Sequence, residues 1–133
     1  MLSSLFLLCA LTVQAQLAVT VSPVKITGLK VVVLLAMTNN LAESVESARA
    51  VCFLLDENGK MIGQSSKWVI DGVKDRPALL PKSGTTFNYV ITSSQPFATT
   101  NLTAKVSFSR LVLDGGKSAD ISREVTVTQL TQN

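Results

Sequence analysis

Along much of this chain apolar and polar residues alternate with a period of two, the spacing at which successive side chains of an extended strand point to opposite faces. Segment 102–113 shows it most cleanly: Leu102, Ala104, Val106 and Phe108 fall on one face, Thr103, Lys105, Ser107 and Ser109 on the other. One of these faces is core and the other meets water. Phe87, Tyr89 and Ile91 make a second apolar stripe, which Trp68 and Ile70 are expected to meet across the core. Two turn signals are sharp. Asp56-Glu57-Asn58-Gly59-Lys60 holds an Asn-Gly pair that readily takes positive φ, and Asp114-Gly115-Gly116-Lys117 holds two glycines, so each marks a hairpin. The pattern predicts strands at about 17–27, 29–39, 47–56, 60–70, 85–92, 102–113 and 118–130. About seven short strands with turns between them predict an all-β fold of two facing antiparallel sheets, a β-sandwich.

Segments 29–39 and 47–56 depart from one-sided alternation. Val31, Val33, Leu35 and Met37 lie on one face of the first, Val32, Leu34 and Ala36 on the other; Val51, Phe53 and Leu55 oppose Ala50, Cys52 and Leu54 in the second. Both faces of both strands are therefore apolar. Two readings fit this: central strands whose outer side is covered by a loop or by the first strand, or an exposed apolar patch that binds a partner. On the second reading the partner-binding candidates are Val31, Val33, Leu35, Val51, Phe53 and Leu55. Segment 71–84, with Asp71, Lys74, Asp75 and Arg76 followed by Pro77 and Pro81, reads as a sheet-to-sheet crossover of the kind that often carries binding loops.

The first residues add a compartment. Met1–Ala15 is a short apolar run closed by Val13-Gln14-Ala15, with small residues at the positions a signal peptidase inspects. The expected organisation is a signal peptide at 1–15 and a single domain at 16–133, secreted or periplasmic. Gln14 and Gln16 interrupt the run before the roughly 20 apolar residues a spanning helix needs, and no later segment reaches that length, so no integral membrane span is expected after cleavage. Cleavage leaves Cys52 as the sole cysteine and forbids an internal disulfide. The domain must then be held by its core, for which the 47% hydrophobic content suffices.

Charge and chemistry narrow the function. The net charge of +3 is scattered rather than gathered in a stripe with aromatic residues between, so nucleic acid is not expected as a partner. With no histidine, the commonest general base, the serine-protease triad and the usual zinc and copper ligands are missing. Cys52 sits in Ala50-Val51-Cys52-Phe53-Leu54 and reads as a buried structural thiol, with an intermolecular disulfide as the alternative. Ser65-Ser66-Lys67 holds the residue types of a Ser-Lys dyad, but adjacent strand residues point apart, and Ser65 with Lys67 reads as an exposed polar strand face. Asp56, Glu57, Asp71, Asp75, Asp114 and Asp120 sit at turns and loop ends, as turn chemistry predicts, and lack the spacing of a calcium loop. No catalytic, metal or cofactor site is expected.

Three stretches resemble bacterial extracytoplasmic immunoglobulin-like domains of the FxLYD type. These are Thr38-Asn39-Asn40, then Leu54 through Gly63 around Asp56-Glu57-Asn58-Gly59-Lys60, then Leu80-Pro81-Lys82-Ser83-Gly84-Thr85-Thr86-Phe87. The resemblance covers about residues 28–91. Cys52 and Leu55 stand where the family's naming Phe and Tyr would be, and Lys82-Ser83 separates Pro81 from Gly84. It implies an immunoglobulin-like sandwich and no catalytic residue. The expected function is a non-enzymatic domain mediating protein–protein interaction or assembly in the cell envelope, with an unknown protein or a second copy as partner. The alternative is a small inhibitor or regulator of a secreted enzyme acting through loop 71–84.

Overall fold

In a computed structural model the alternating segments form nine strands among the described residues, 15–73 and 76–130; of the signal-peptide reading only Ala15 falls within them. The strands are β1 (Leu17–Val21), β2 (Lys25–Thr27), β3 (Lys30–Asn39), β4 (Val45–Leu55), β5 (Met61–Ile70), β6 (Gly84–Thr92), β7 (Thr103–Leu113), β8 (Lys117–Ser118) and β9 (Val125–Gln129). One sheet is built on β3, with β6 along one side, β1 and β2 sharing the other, and β9 beyond β1; the second runs β5-β4-β7-β8. The protein is an all-β sandwich.

The count rises from seven to nine because two expected strands are each broken by a local device. Segment 17–27 is interrupted at Ser22-Pro23-Val24, where Pro23 has no N–H to give a ladder. Ser22 fills the gap: its N–H donates to the Leu34 carbonyl at 3.0 Å and its Oγ accepts from the Leu34 N–H at 2.8 Å. Segment 118–130 is interrupted by one helical turn, α1 (Ile121–Glu124), which Asp120 caps by accepting from the Ser122 N–H at 3.1 Å. Beyond that turn the chain changes sheets, and β9 pairs with β1 in parallel, Leu17 opposite Val125 through Val21 opposite Gln129. At the Asp56–Lys60 hairpin, Gly59 alone carries the positive φ, and the Asp56 carboxylate accepts from the N–H groups of Asn58 and Lys60.

The space between the sheets is filled from both sides. Val31, Val33, Leu35 and Met37 on β3 meet Ala50, Cys52 and Leu54 on β4 and the Ala104, Val106, Phe108 row of β7, all buried. Each fully buried large aliphatic side chain in such a layer contributes about 1.5–3 kcal/mol by its removal from water. Tyr89, fully enclosed, spends its hydroxyl at the edge of the sandwich, donating to the Ser65 carbonyl at 2.5 Å with the Ala50 carbonyl 3.3 Å away.

Asn39 is the sole polar side chain fully buried among the described residues. Its Nδ2 donates to the carbonyls of Glu43 at 2.9 Å and Leu79 at 3.0 Å, and its Oδ1 accepts from the Leu41 N–H at 2.9 Å. Its backbone holds the 80–83 turn as well, through Asn39 N–H to Ser83 and Lys82 N–H to Asn39. In that turn Pro81 precedes Lys82, which has φ of +61°, and the Ser83 N–H returns to the Leu80 carbonyl at 3.1 Å. This is a type II arrangement, in which the third position favours glycine.

Two stability changes follow from this corner. Asn39→Ala takes their partner from the Glu43 carbonyl and the Leu41 N–H, while the Leu79 carbonyl keeps the Val45 N–H, and is expected to cost about 2 kcal/mol, read as a lower denaturant midpoint at unchanged slope. Lys82→Gly relieves the left-handed strain of a side chain and is expected to raise stability by about 0.5–1 kcal/mol in the same assay.

Candidate functional site: the outer face of the β5-β4-β7-β8 sheet

The six residues proposed from sequence do not share a surface. Val31, Val33 and Leu35 point inward and are completely buried, so they belong to the core and not to a contact face. The reason is parity: β3 turns its odd-numbered residues to the core, and its outer side shows Val32, Leu34 and Ala36, of which Leu34 is 40% exposed. Val51, Phe53 and Leu55 do lie on an outer face, half-buried along the middle of the second sheet, because β4 sends Ala50, Cys52 and Leu54 inward.

The strands beside β4 complete this face. Phe53 lies between Gln64 of β5 and Lys105 of β7, Val51 between Ser66 and Ser107, and Leu55 between Met61 and Thr103. Met61 is 53% and Ile62 45% exposed, which extends the apolar strip to the edge strand.

Trp68 is the member that sequence reasoning placed wrongly. It was expected in the core with Ile70, yet it is an exposed residue, while Val69 and Ile70 are both buried. Trp68 keeps the outward phase of Gln64 and Ser66, and a register shift between Ala48 and Arg49 against β5 separates it from Ile70: Ala48 pairs Ile70, Arg49 pairs Trp68, and Val69 is the extra residue that lets Ile70 turn inward. Such a bulge turns alternation over by one position and re-aims the side chains that follow. Two consecutive apolar residues after Trp68 were the available signal. A second shift on the β7 side, between Arg49 and Ala50, leaves Ser109 and Arg110 both exposed and sets Arg110 directly opposite Arg49.

The row Trp68–Arg49–Arg110 therefore crosses the face. Like charges placed directly opposite on adjacent strands are destabilising, by about 0.2–1 kcal/mol. Among the described residues neither arginine has an ion-pair partner; the two salt bridges found there are Arg76–Asp71 and Lys117–Glu43. A depression of about 200 Å³ lies between Ser47, Trp68 and Asp71 at the end of this row.

The other sequence candidates are engaged elsewhere. Lys67 does not lie on an exposed polar face with Ser65. It is half-buried, donates from Nζ to the Val90 carbonyl and stands 5.2 Å from the centre of the Tyr89 ring. Asp71 accepts from Arg76 at 2.7 Å, and that guanidinium holds its carboxyl below the usual range. Leu79 fastens the far end of loop 71–84 through paired backbone bonds with Val45, both at 2.9 Å. Lys74 and Asp75 lie outside the described residues. A recess of about 170 Å³ beside Pro23, Leu102 and Gln129 is below the 300 Å³ or so of ordinary ligand pockets. Among the described residues no three histidine, cysteine or carboxylate groups gather where they could hold a metal, and no helix is long and apolar enough to cross a membrane.

Cys52 is fully buried, and burial pushes its thiol up to about 11, with Lys67 pulling weakly the other way. The folded state thus keeps the proton longer than the unfolded chain. Stability from this group is intact below about pH 9 and is lost as the pH rises through about 11. Native Cys52 is expected to react with a maleimide at pH 7 roughly a thousandfold more slowly than the denatured chain, since labelling must wait for opening. In Cys52→Ala the loss of stability between pH 9 and 11, followed by denaturant midpoints, should be shallower.

No protein-family model and no curated protein matches the chain. Among solved structures it is similar to IrmA from Escherichia coli, at 9% identity over 89% of this chain and 97% of that one, with a TM-score of 0.48. The class that fold and site define is a two-sheet β-sandwich with an apolar, arginine-bearing outer face on its β5-β4-β7-β8 sheet.

Proposed function

We propose that this protein is a non-enzymatic, extracytoplasmic sandwich domain that binds another protein through the outer face of the β5-β4-β7-β8 sheet. The observation that carries the reading is the continuity of half-buried Val51, Phe53 and Leu55 with exposed Met61, Ile62 and Trp68. Large apolar side chains grouped on a polar-rimmed face are what protein interfaces bury, with tryptophan and arginine prominent among the residues that dominate binding. The leader-like Met1–Ala15 supports a place outside the cytoplasm, and the resemblance over residues 28–91 supports an envelope domain of the immunoglobulin type.

A photo-crosslinking residue at Gln64, in the face, is expected to yield a discrete protein adduct in the native host, whereas one at Thr86, on the outer side of the other sheet, is expected to yield none. Equal adducts at both sites, or none at Gln64, defeat the proposal. Phe53→Lys should remove the adduct while costing at most about 2 kcal/mol of stability, since only part of the ring leaves its contacts. Val33→Lys, by contrast, places a charge in the core and should unfold the domain, seen as loss of the cooperative melt.

A further inference from the structure

Three kinds of occupant could cover this face: a second copy, an anionic membrane, or a protein of particular charge. The charged groups on the face discriminate among them. Arg49 and Arg110 stand opposite each other, with Lys105 further along the same strand as Arg110, and the outward rows paired across β4 from Arg49 to Leu55 contain no carboxylate. Three acids near the Arg49–Arg110 end are engaged already: Asp71 by Arg76 at 2.7 Å, Glu46 by the Gly115 N–H at 3.1 Å, Glu43 by Lys117.

Two copies meeting with their Arg49–Arg110 rows face to face would oppose cations to cations, so self-pairing there is disfavoured. An anionic bilayer is flat and would meet, together with the arginines, the Asp56–Glu57 hairpin at the Met61–Ile62 end, whose carboxylates repel it, whereas a protein can present its acids to the Arg49–Arg110 end alone. A carboxylate placed over the Arg49–Arg110 pair, however, relieves their mutual repulsion and accepts paired N–H bonds from a planar guanidinium. Trp68 beside Arg49 offers an apolar wall that keeps such a contact from water.

We infer that the partner is an acidic protein surface, whose carboxylates seat on Arg49 and Arg110 while its apolar residues cover Phe53 and Trp68. This rests on the proposal that the face binds a protein, and it names the chemistry of that protein.

Trp68 is the only tryptophan of the chain, so its fluorescence reports the site directly. The purified protein is titrated at low ionic strength with three capped hexapeptides, Glu-Glu-Leu-Leu-Glu-Glu and its Ser and Lys counterparts, and separately with vesicles of dioleoyl phosphatidylglycerol. The Glu peptide is expected to shift Trp68 emission saturably and at least tenfold more tightly than the Ser peptide, with the advantage fading as salt is raised. The Lys peptide should give no shift. Arg49→Ser and Arg110→Ser should each erase the tenfold preference while raising the melting temperature, because each ends a like-charge opposition. Arg110→Lys, which keeps the charge but loses the planar fork, should keep only part of the preference.

Equal binding of Glu and Ser peptides overturns the inference and leaves the protein-binding proposal standing. So does a preference for the Lys peptide, or a shift produced by vesicles but not by the Glu peptide. If no peptide shifts Trp68 while Gln64 still crosslinks a protein, the acidic-partner inference alone fails; if crosslinking fails as well, both fail.

Discussion

A buried amide must find a partner for each of its polar atoms, and Asn39 does so by gathering two separate chain segments around the end of β3. Its side chain ties down the 41–43 connection that leads into β4 and the Leu79 carbonyl that ends the long crossover into β6. Leu79 in turn pairs with Val45 through both backbone bonds. The link between the two sheets at this corner is therefore a set of directional bonds shielded from water, where leaving a group unpaired is costly. From that corner β4 enters the second sheet with Val45 buried, and a register shift between Val45 and Ser47 then sets the inward row Ala48, Ala50, Cys52, Leu54.

The candidate face is a consequence of that phase and of its interruption. Two register shifts fall at neighbouring positions of β4, one against each flanking strand. Trp68 is outward in phase with Gln64 and Ser66; without the shift against β5 Ile70 would leave the core, and without the shift against β7 Ser109 and not Arg110 would stand opposite Arg49. A bulge costs ladder bonds, and opposed cations cost more; local rules are broken where something other than stability is served.

The opposite rim of the sandwich is closed in a different way. Edge strands β5 and β6 are the places where a sheet can recruit a foreign strand. Here Lys67 points inward from β5 and donates across to the Val90 carbonyl of β6, while the Tyr89 hydroxyl, on β6, donates back to Ser65 of β5. An inward charge on an edge strand discourages the pairing of a foreign strand at this rim. The buried Cys52 lies beneath the same region, and its raised thiol pKa marks an apolar enclosure and not a nucleophile.

Much of this was legible from the chain itself. The alternation of Leu102, Ala104, Val106 and Phe108 is a local property with a period of two, and glycines at Gly59 and Gly115 mark turns by their own backbone freedom, so strand positions and hairpins could be read directly. The burial of Cys52 followed from its apolar neighbours. What the chain could not disclose was which side of β3 and β4 faces inward, because a strand apolar on both faces is degenerate under a shift of one residue. Only packing against the opposite sheet resolved it, sending Val31, Val33 and Leu35 to the core and leaving Val51, Phe53 and Leu55 outside. The opposition of Arg49 to Arg110 and the parallel pairing of β9 with β1 likewise belong to tertiary structure, since each joins residues far apart in sequence whose register no local pattern encodes.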